Sequence, residues 1–166
     1  MEVKNLTAAD GSAFLGLLLK LDNETKFMLM EPGERDTSPE NMCKRLSNMD
    51  ETAVAIFGAY DNENLVGFIN LSRNSANRAR HSAYIVMGIV AAYTGKVIGG
   101  LLLNKAEEWA AKHNVSRLEL TVMVHNINAI KLYEKVGFIK EGVKKNSLLV
   151  DGEYVDEYYM SKILCY

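Results

Sequence analysis

The spacing of hydrophobic positions changes several times along this chain, and each change predicts an element. Glu2–Leu6 reads as a short first strand. Phe14, Leu17, Leu18 and Leu21 then recur at helical spacing, with Thr7 as an N-cap and Asp10 as its weak capping-box partner. A polar stretch follows, broken by one apolar patch at Phe27–Met30, and Pro32-Gly33 forbids a continuous helix across it. Ser38-Pro39 predicts a fresh helix start, with Met42, Leu46 and Met49 facing inward. Thr52–Tyr60 and Leu65–Ser72 predict strands around the turn-forming Asp61–Asn64, so they form an antiparallel hairpin. Arg73–Arg80 is a polar connection, and His81–Val90 is another strand.

The apolar run Tyr84–Val90 breaks at Tyr93-Thr94-Gly95 and gives way to a helix with Ile98, Leu101, Leu102 and Trp109 on one face. Ser116–Val124 alternates as a strand. His125–Val136 is a short helix with Ile130 and Tyr133 on one face, Asn126 or Asn128 as its cap, and Gly137 at its end. Phe138–Lys144 begins a strand. Ser147–Val150 and Glu153–Leu164 form a hairpin through a type I′ turn at Asp151-Gly152. Antiparallel strands come first and a β-α-β-α-β portion closes the chain. That order argues for an α+β (mixed α/β) sheet and against a doubly wound parallel one.

The joint between the strand ending at Val90 and the helix after it concentrates the chemistry. A helix start leaves backbone N–H groups unpaired at the positive end of its dipole, which suits a phosphate or pyrophosphate. Gly95, Gly99 and Gly100 leave room for a ligand near the backbone. Lys96, a cation placed in the first turn, opposes the dipole unless an anion sits there. An ordinary buried strand–helix joint with a solvated lysine is equally open on these residues.

Composition narrows the classes. The 166 residues, 48% of them hydrophobic, suit one globular domain over 1–166. A net charge of −2 implies no general affinity for nucleic acid or anionic membrane. The run Tyr84–Tyr93 is half the length of a membrane span of about 20 residues. The N-terminus lacks a signal-peptide pattern. Cys43 and Cys165 fit neither a disulfide framework nor a metal site, so the expected setting is the reducing cytoplasm. The three histidines show no metal spacing, so no metal is expected. The first strand lacks a Gly-x-Gly-x-x-Gly followed by an acidic residue, which sets aside a Rossmann-type dinucleotide protein.

Two segments together resemble the GCN5-related N-acetyltransferase (GNAT) superfamily. Tyr93–Leu102, YTGKVIGGLL, is similar to its pyrophosphate loop, usually Arg/Gln-x-x-Gly-x-Gly/Ala. Asn126–Phe138 is close to its Asn-x-x-Ala-x-x-x-Tyr-x-x-x-Gly-Phe signature, with Asn126, Ala129, Tyr133, Gly137 and Phe138 in register. The pattern HSAYIVMGIV with the terminal EYYMSKIL looks like the bacterial branch with ribosomal-protein and polyamine acetyltransferases. The resemblance implies a mostly antiparallel mixed sheet flanked by helices. It implies direct acetyl transfer from acetyl-CoA, as co-substrate, to a primary amine of a small molecule or a protein N-terminus. A homodimer is left open. Tyr133 would be the general acid facing the CoA sulfur. Asn126 would bind the pantetheine arm. A backbone N–H near Gly88, Ile89 and Val90 would meet the thioester oxygen, and Thr94, Gly95, Lys96, Val97, Ile98, Gly99 and Gly100 would hold the pyrophosphate.

The first motif departs from the family pattern. Thr94 stands where Arg or Gln is usual and Val97 where glycine is usual, and the branched Val97 side chain is expected to crowd a phosphate. That departure leaves a second reading: a non-catalytic, CoA-binding regulatory module on the same fold. The segment Phe27–Pro39 is expected to form one wall of the acceptor site, with Glu31 and Glu34 attracting a cationic amine. No general base stands out. Glu119, Glu31, Glu34, His125 and a chain of waters are all candidates.

Overall fold

A computed structural model describes residues 1–166. Its strands are β1 (Glu2–Asn5), β2 (Val54–Asp61), β3 (Asn64–Arg73), β4 (Ser82–Ile89), β5 (Arg117–Met123), β6 (Ile139–Val150) and β7 (Glu153–Ile163). Its helices are α1 (Gly11–Glu24), α2 (Pro39–Ser47), α3 (Ile98–Lys112) and α4 (Ile127–Lys135). The seven strands form one sheet in the order β1-β2-β3-β4-β5-β7-β6. Every pairing is antiparallel except β4 with β5. A parallel pair needs a crossover of a dozen or more residues, and α3 provides it. The mixed, mostly antiparallel sheet expected from the element order is therefore the one observed.

Strand alternation puts helices on both faces. A Cβ at Gly88 would meet Leu21 Cδ1 at 2.8 Å and Phe68 Cε1 at 2.9 Å, so α1 lies on the face carrying Gly88 and Phe68. α3 and α4 lie on the opposite face, where Gly99 approaches Leu132 and Ile89. α1 buries Phe14, Leu15, Leu17, Leu18 and Leu21. α3 buries Ile98, Leu102, Leu103, Ala106 and Trp109. Burying one such aliphatic side chain contributes about 1.5–3 kcal/mol, so these stripes hold the layers together.

The local signals act where expected, with some corrections. Ser38 caps α2 by accepting the Asn41 N–H at 3.2 Å. Asp10 Oδ2 accepts the Thr7 N–H at 2.9 Å, but this closes a 3-10 turn at Ala8–Asp10 that precedes α1. Asp151 and Gly152, both at positive φ, form the final hairpin turn. Leu101 is exposed, and Leu103 takes its place on the buried face of α3. β6 is one strand with register irregularities between Lys140 and Gly142 and between Lys144 and Leu148, not two pieces. No helix is long and apolar enough to cross a membrane.

Candidate active site

The site begins where the one parallel pairing fails. β4 and β5 pair only from Ser82–Tyr84 to Arg117–Glu119. Beyond that β4 stays with β3 as far as Ile89, and β5 stays with β7 as far as Met123. The two strands therefore splay. Tyr84 bridges the start of the gap: its hydroxyl accepts the Thr121 N–H at 3.2 Å and lies 2.6 Å from the Thr121 hydroxyl. Past it opens a cleft of about 780 Å³, lined among others by Val86–Ile89, Leu120–Met123, Asn126, Leu132 and Tyr133. Val90 donates its N–H to Val66 O at 3.0 Å. By antiparallel alternation the Gly88 N–H also points to β3, leaving the amides of Met87 and Ile89 turned to the cleft. Of the amides at Gly88, Ile89 and Val90, only that of Ile89 faces the cleft, beside that of Met87, and those of Gly88 and Val90 face β3.

One end of the cleft runs into the loop before α3, reaching Ala91 and Thr94. A 3-10 turn at Ala91–Tyr93 and Gly95 at φ +73° swing the chain into the helix. The first bond of that helix turn is Leu101 N–H to Val97 O at 3.1 Å. The N–H groups of Gly95, Lys96, Val97, Ile98, Gly99 and Gly100 find no acceptor in the backbone, and α3 has no side-chain cap. A run of free donors at the positive end of a helix is a site for a phosphate-type anion. Three sequence expectations change here. Lys96 precedes the helix, with its ammonium 4.4 Å from the centre of the Tyr93 ring. Val97 is 73% exposed at the open helix start. Gly99 leaves room for Leu132, whose Cδ2 would lie 2.4 Å from a Cβ there, while Gly100 faces open space. The Thr94 hydroxyl donates to Ala91 O at 2.8 Å.

α4 forms the facing wall. Asn126 Oδ1 caps it by accepting the Ala129 N–H at 3.4 Å, its side-chain N–H₂ has no partner in the protein, and the residue lines the cleft. Tyr133 lies two turns along the same helix, packs against Phe138 at a ring distance of 5.6 Å, and is buried. Its hydroxyl has no hydrogen-bond partner in the protein. Burial first, and Tyr84 second, push it above the ordinary tyrosine value, so it stays protonated at neutral pH.

The other end lies between α1, the segment after it, and the β6–β7 hairpin. Phe27, Met28, Leu29 and Met30 line it, as the expected wall requires. Arg35 pins this segment to α1 through a fork on the buried Asp22, at 2.7 and 2.9 Å. Glu31 and Glu34 do not reach the cleft. They are exposed and bonded to each other's backbone, Glu34 accepting the Glu31 N–H at 2.6 Å. Sequence reading missed two lining residues. Asn70 Oδ1 is buried without a partner, and Glu157 is a nearly buried carboxylate. Their only sequence signal was a polar residue at an inward-facing strand position.

The acetyltransferase (GNAT) family model matches residues 18–138, well over half of the chain. The chain belongs to that family. Its GNAT match runs from the second half of α1 through the β4–α3 joint and α4, and ends before β6 and β7. The L-amino acid N-acetyltransferase AaaT of Escherichia coli (strain K12) is 34% identical over 100 residues, 60% of this chain and 62% of that protein. The spermidine N(1)-acetyltransferase of Vibrio cholerae is 30% identical over 95 residues, 57% of this chain and 54% of that protein. The chain thus matches between about half and two thirds of the length of these curated relatives. In fold, this GNAT chain is similar to yncA of Salmonella typhimurium, solved with its cofactor acetyl-CoA. The TM-score is 0.87 at 16% identity, over 100% of this chain and 95% of that one.

Proposed function

We propose that the protein is an N-acetyltransferase that moves the acetyl group of acetyl-CoA directly to a primary amine, of a small molecule or a protein N-terminus. One observation carries this reading: the free amides of residues 95–100 follow directly on Thr94, at one end of a cleft whose lining also includes Tyr133. In this reading the amides hold the pyrophosphate of acetyl-CoA. The Asn126 side chain donates to the pantetheine arm, and the amide of Ile89 or Met87 stabilises the thioester oxygen as it gains charge. The amine nitrogen attacks the thioester carbon, the C–S bond breaks, and the Tyr133 O–H protonates the departing thiolate. The experiment is a calorimetric CoA titration beside a panel of amines (spermidine, L-amino acids, N-terminal peptides) scored for acetyl-CoA consumption. Absence of CoA binding at millimolar concentration overturns the reading.

One observation favours the second reading, a non-catalytic CoA-binding module. The Thr94 hydroxyl is already engaged by Ala91 O, so the loop offers neither the family's charged donor nor a free hydroxyl. CoA binding without acetylation of any amine in the panel would select it. The free Cys43 and Cys165 support a cytoplasmic setting. The outward Ile139 and Leu149 of β6 support self-association into a homodimer, which sedimentation showing only monomer would exclude.

A further inference from the structure

An amine arriving at pH 7 is an ammonium ion, and it must lose a proton before it can attack a thioester. We propose that Glu157 is the group that binds this ammonium and takes its proton; the proposal rests on the acetyltransferase reading above. Glu157 is 9% exposed and lines the same cleft as Tyr133 and Asn126. It stands on β7 opposite Met123, the last residue of β5 before the chain turns to Asn126. Its Oε1 accepts the Ser147 hydroxyl at 2.5 Å, which orients the carboxylate. No cation forms an ion pair with the carboxylate: Lys145 goes to Asp156 at 3.0 Å, and Lys144, its register partner on β6, lines the cleft without pairing to it. A nearly buried carboxylate is costly unless a cation or donors satisfy it. An ammonium in the cleft supplies both.

The other acidic candidates are already engaged. Glu24 also lines the cleft, but its carboxylate accepts the Ala91 N–H at 2.9 Å and pairs with Lys20 at 3.5 Å. Asp22 is held in the fork of Arg35. Glu119 is held by Arg117 at 2.7 Å, outside the main cleft. Glu31 and Glu34 face solvent. His125 packs against the Phe27 ring at 5.2 Å and does not line the cleft. Asn70 Oδ1 is buried without a partner as well, but it stands on β3, three strands away from β7, and is not part of this site.

The step balances. Glu157 accepts one proton from R–NH₃⁺, and the neutral nitrogen forms its bond to the thioester carbon. The C–S bond then breaks, the thiolate takes the Tyr133 proton, and the nitrogen's surplus proton returns to the tyrosinate. Glu157 releases its proton to solvent, so the net products are the acetamide, CoA thiol and one H⁺.

The test compares wild type with Glu157→Gln, Glu157→Asp and Ser147→Ala. The acceptor is whichever amine of the panel wild type acetylates fastest. It is used beside its aminooxy isostere, in which oxygen replaces the amine-bearing carbon and the nucleophile is neutral at pH 7. The expected result for Glu157→Gln is a fall in kcat/KM of about 10²-fold with the amine and under about threefold with the isostere, at unchanged CoA affinity. Glu157→Asp, which keeps the carboxylate, recovers part of the loss with the amine, and Ser147→Ala retains the same preference for the isostere at reduced magnitude. Equal losses with both nucleophiles, or wild-type kcat/KM with the amine in folded Glu157→Gln, overturn the role of Glu157 alone. Failure of wild type to consume acetyl-CoA with every amine overturns the acetyltransferase reading itself, and the proposal with it.

Discussion

α3 and α4 flank the same cleft and begin in opposite ways. α4 is closed by its own chain, with the Asn126 side chain accepting the Ala129 N–H, and it offers the cleft side chains, Asn126 and Tyr133. α3 has no cap, Val97 stands at its cap position with the side chain in solvent, and its contribution is six consecutive backbone N–H groups. A cap satisfies orphan donors and stabilises a helix by roughly 1 kcal/mol. α3 forgoes that gain, and its donors remain available to an anion. α2 and α4 start with side-chain caps, and α3 keeps its donors free.

The largest expected effect breaks the α4 half of this contrast. Tyr133→Phe keeps the ring packed against Phe138 and removes the hydroxyl. We expect kcat to fall about 10²–10⁴-fold while KM for acetyl-CoA hardly moves, because the group acts only in the transition state. A purely structural tyrosine would instead give a lower Tm with kcat intact, so both are measured on the same variant.

The next breaks the α3 half. Val97→Asp places a capping carboxylate at the open helix start. The Tm should rise, by the equivalent of about 0.3–1 kcal/mol, and calorimetric CoA affinity should fall about tenfold as the new charge opposes the pyrophosphate. A variant whose stability and CoA affinity rise together would show that the free amides do not face the anion.

A smaller effect comes from removing a cap. Asn126→Ala and Ser38→Ala should each cost about 1 kcal/mol in denaturant unfolding. Only Asn126→Ala should also weaken CoA, because α2 lies away from the pantetheine path. Equal CoA affinities for the two variants would reduce Asn126 to a cap.

The smallest concerns the entry to α1, closed by a carboxylate. Burial raises the Asp10 carboxyl, but the Thr7 N–H, the Tyr60 hydroxyl, the Thr7 hydroxyl and Lys4 outweigh it and hold the group below its ordinary value. A depressed folded value means stability that is present above the ordinary carboxylate range and is lost as pH falls through the lowered one. Tm measured from neutral pH downward should fall less steeply for Asp10→Asn than for wild type. Parallel curves would show that Asp10 does not contribute to the acid limb.

The order of elements, the caps at Ser38 and Asn126, the Gly137 stop and the final hairpin turn were all legible in the chain, as were the two motif segments. Each depends on neighbours a few residues away, where periodicity, φ preference and side-chain–backbone bonding act. The use to which those segments are put was settled by tertiary structure. The exposure of Val97 depends on how the loop from Ala91 to Gly95 turns into α3. Gly99 looked like space for a ligand, and Leu132, from a helix beyond the next strand, occupies it. Glu31 and Glu34 looked like acceptor contacts, yet their loop, pinned by Arg35 on Asp22, turns them to solvent. Glu157 had only the signal of a polar residue at an inward-facing strand position. It meets the cleft only because β7 inserts beside β5 and β4 splays away, a pairing between residues distant in sequence that no local pattern encodes.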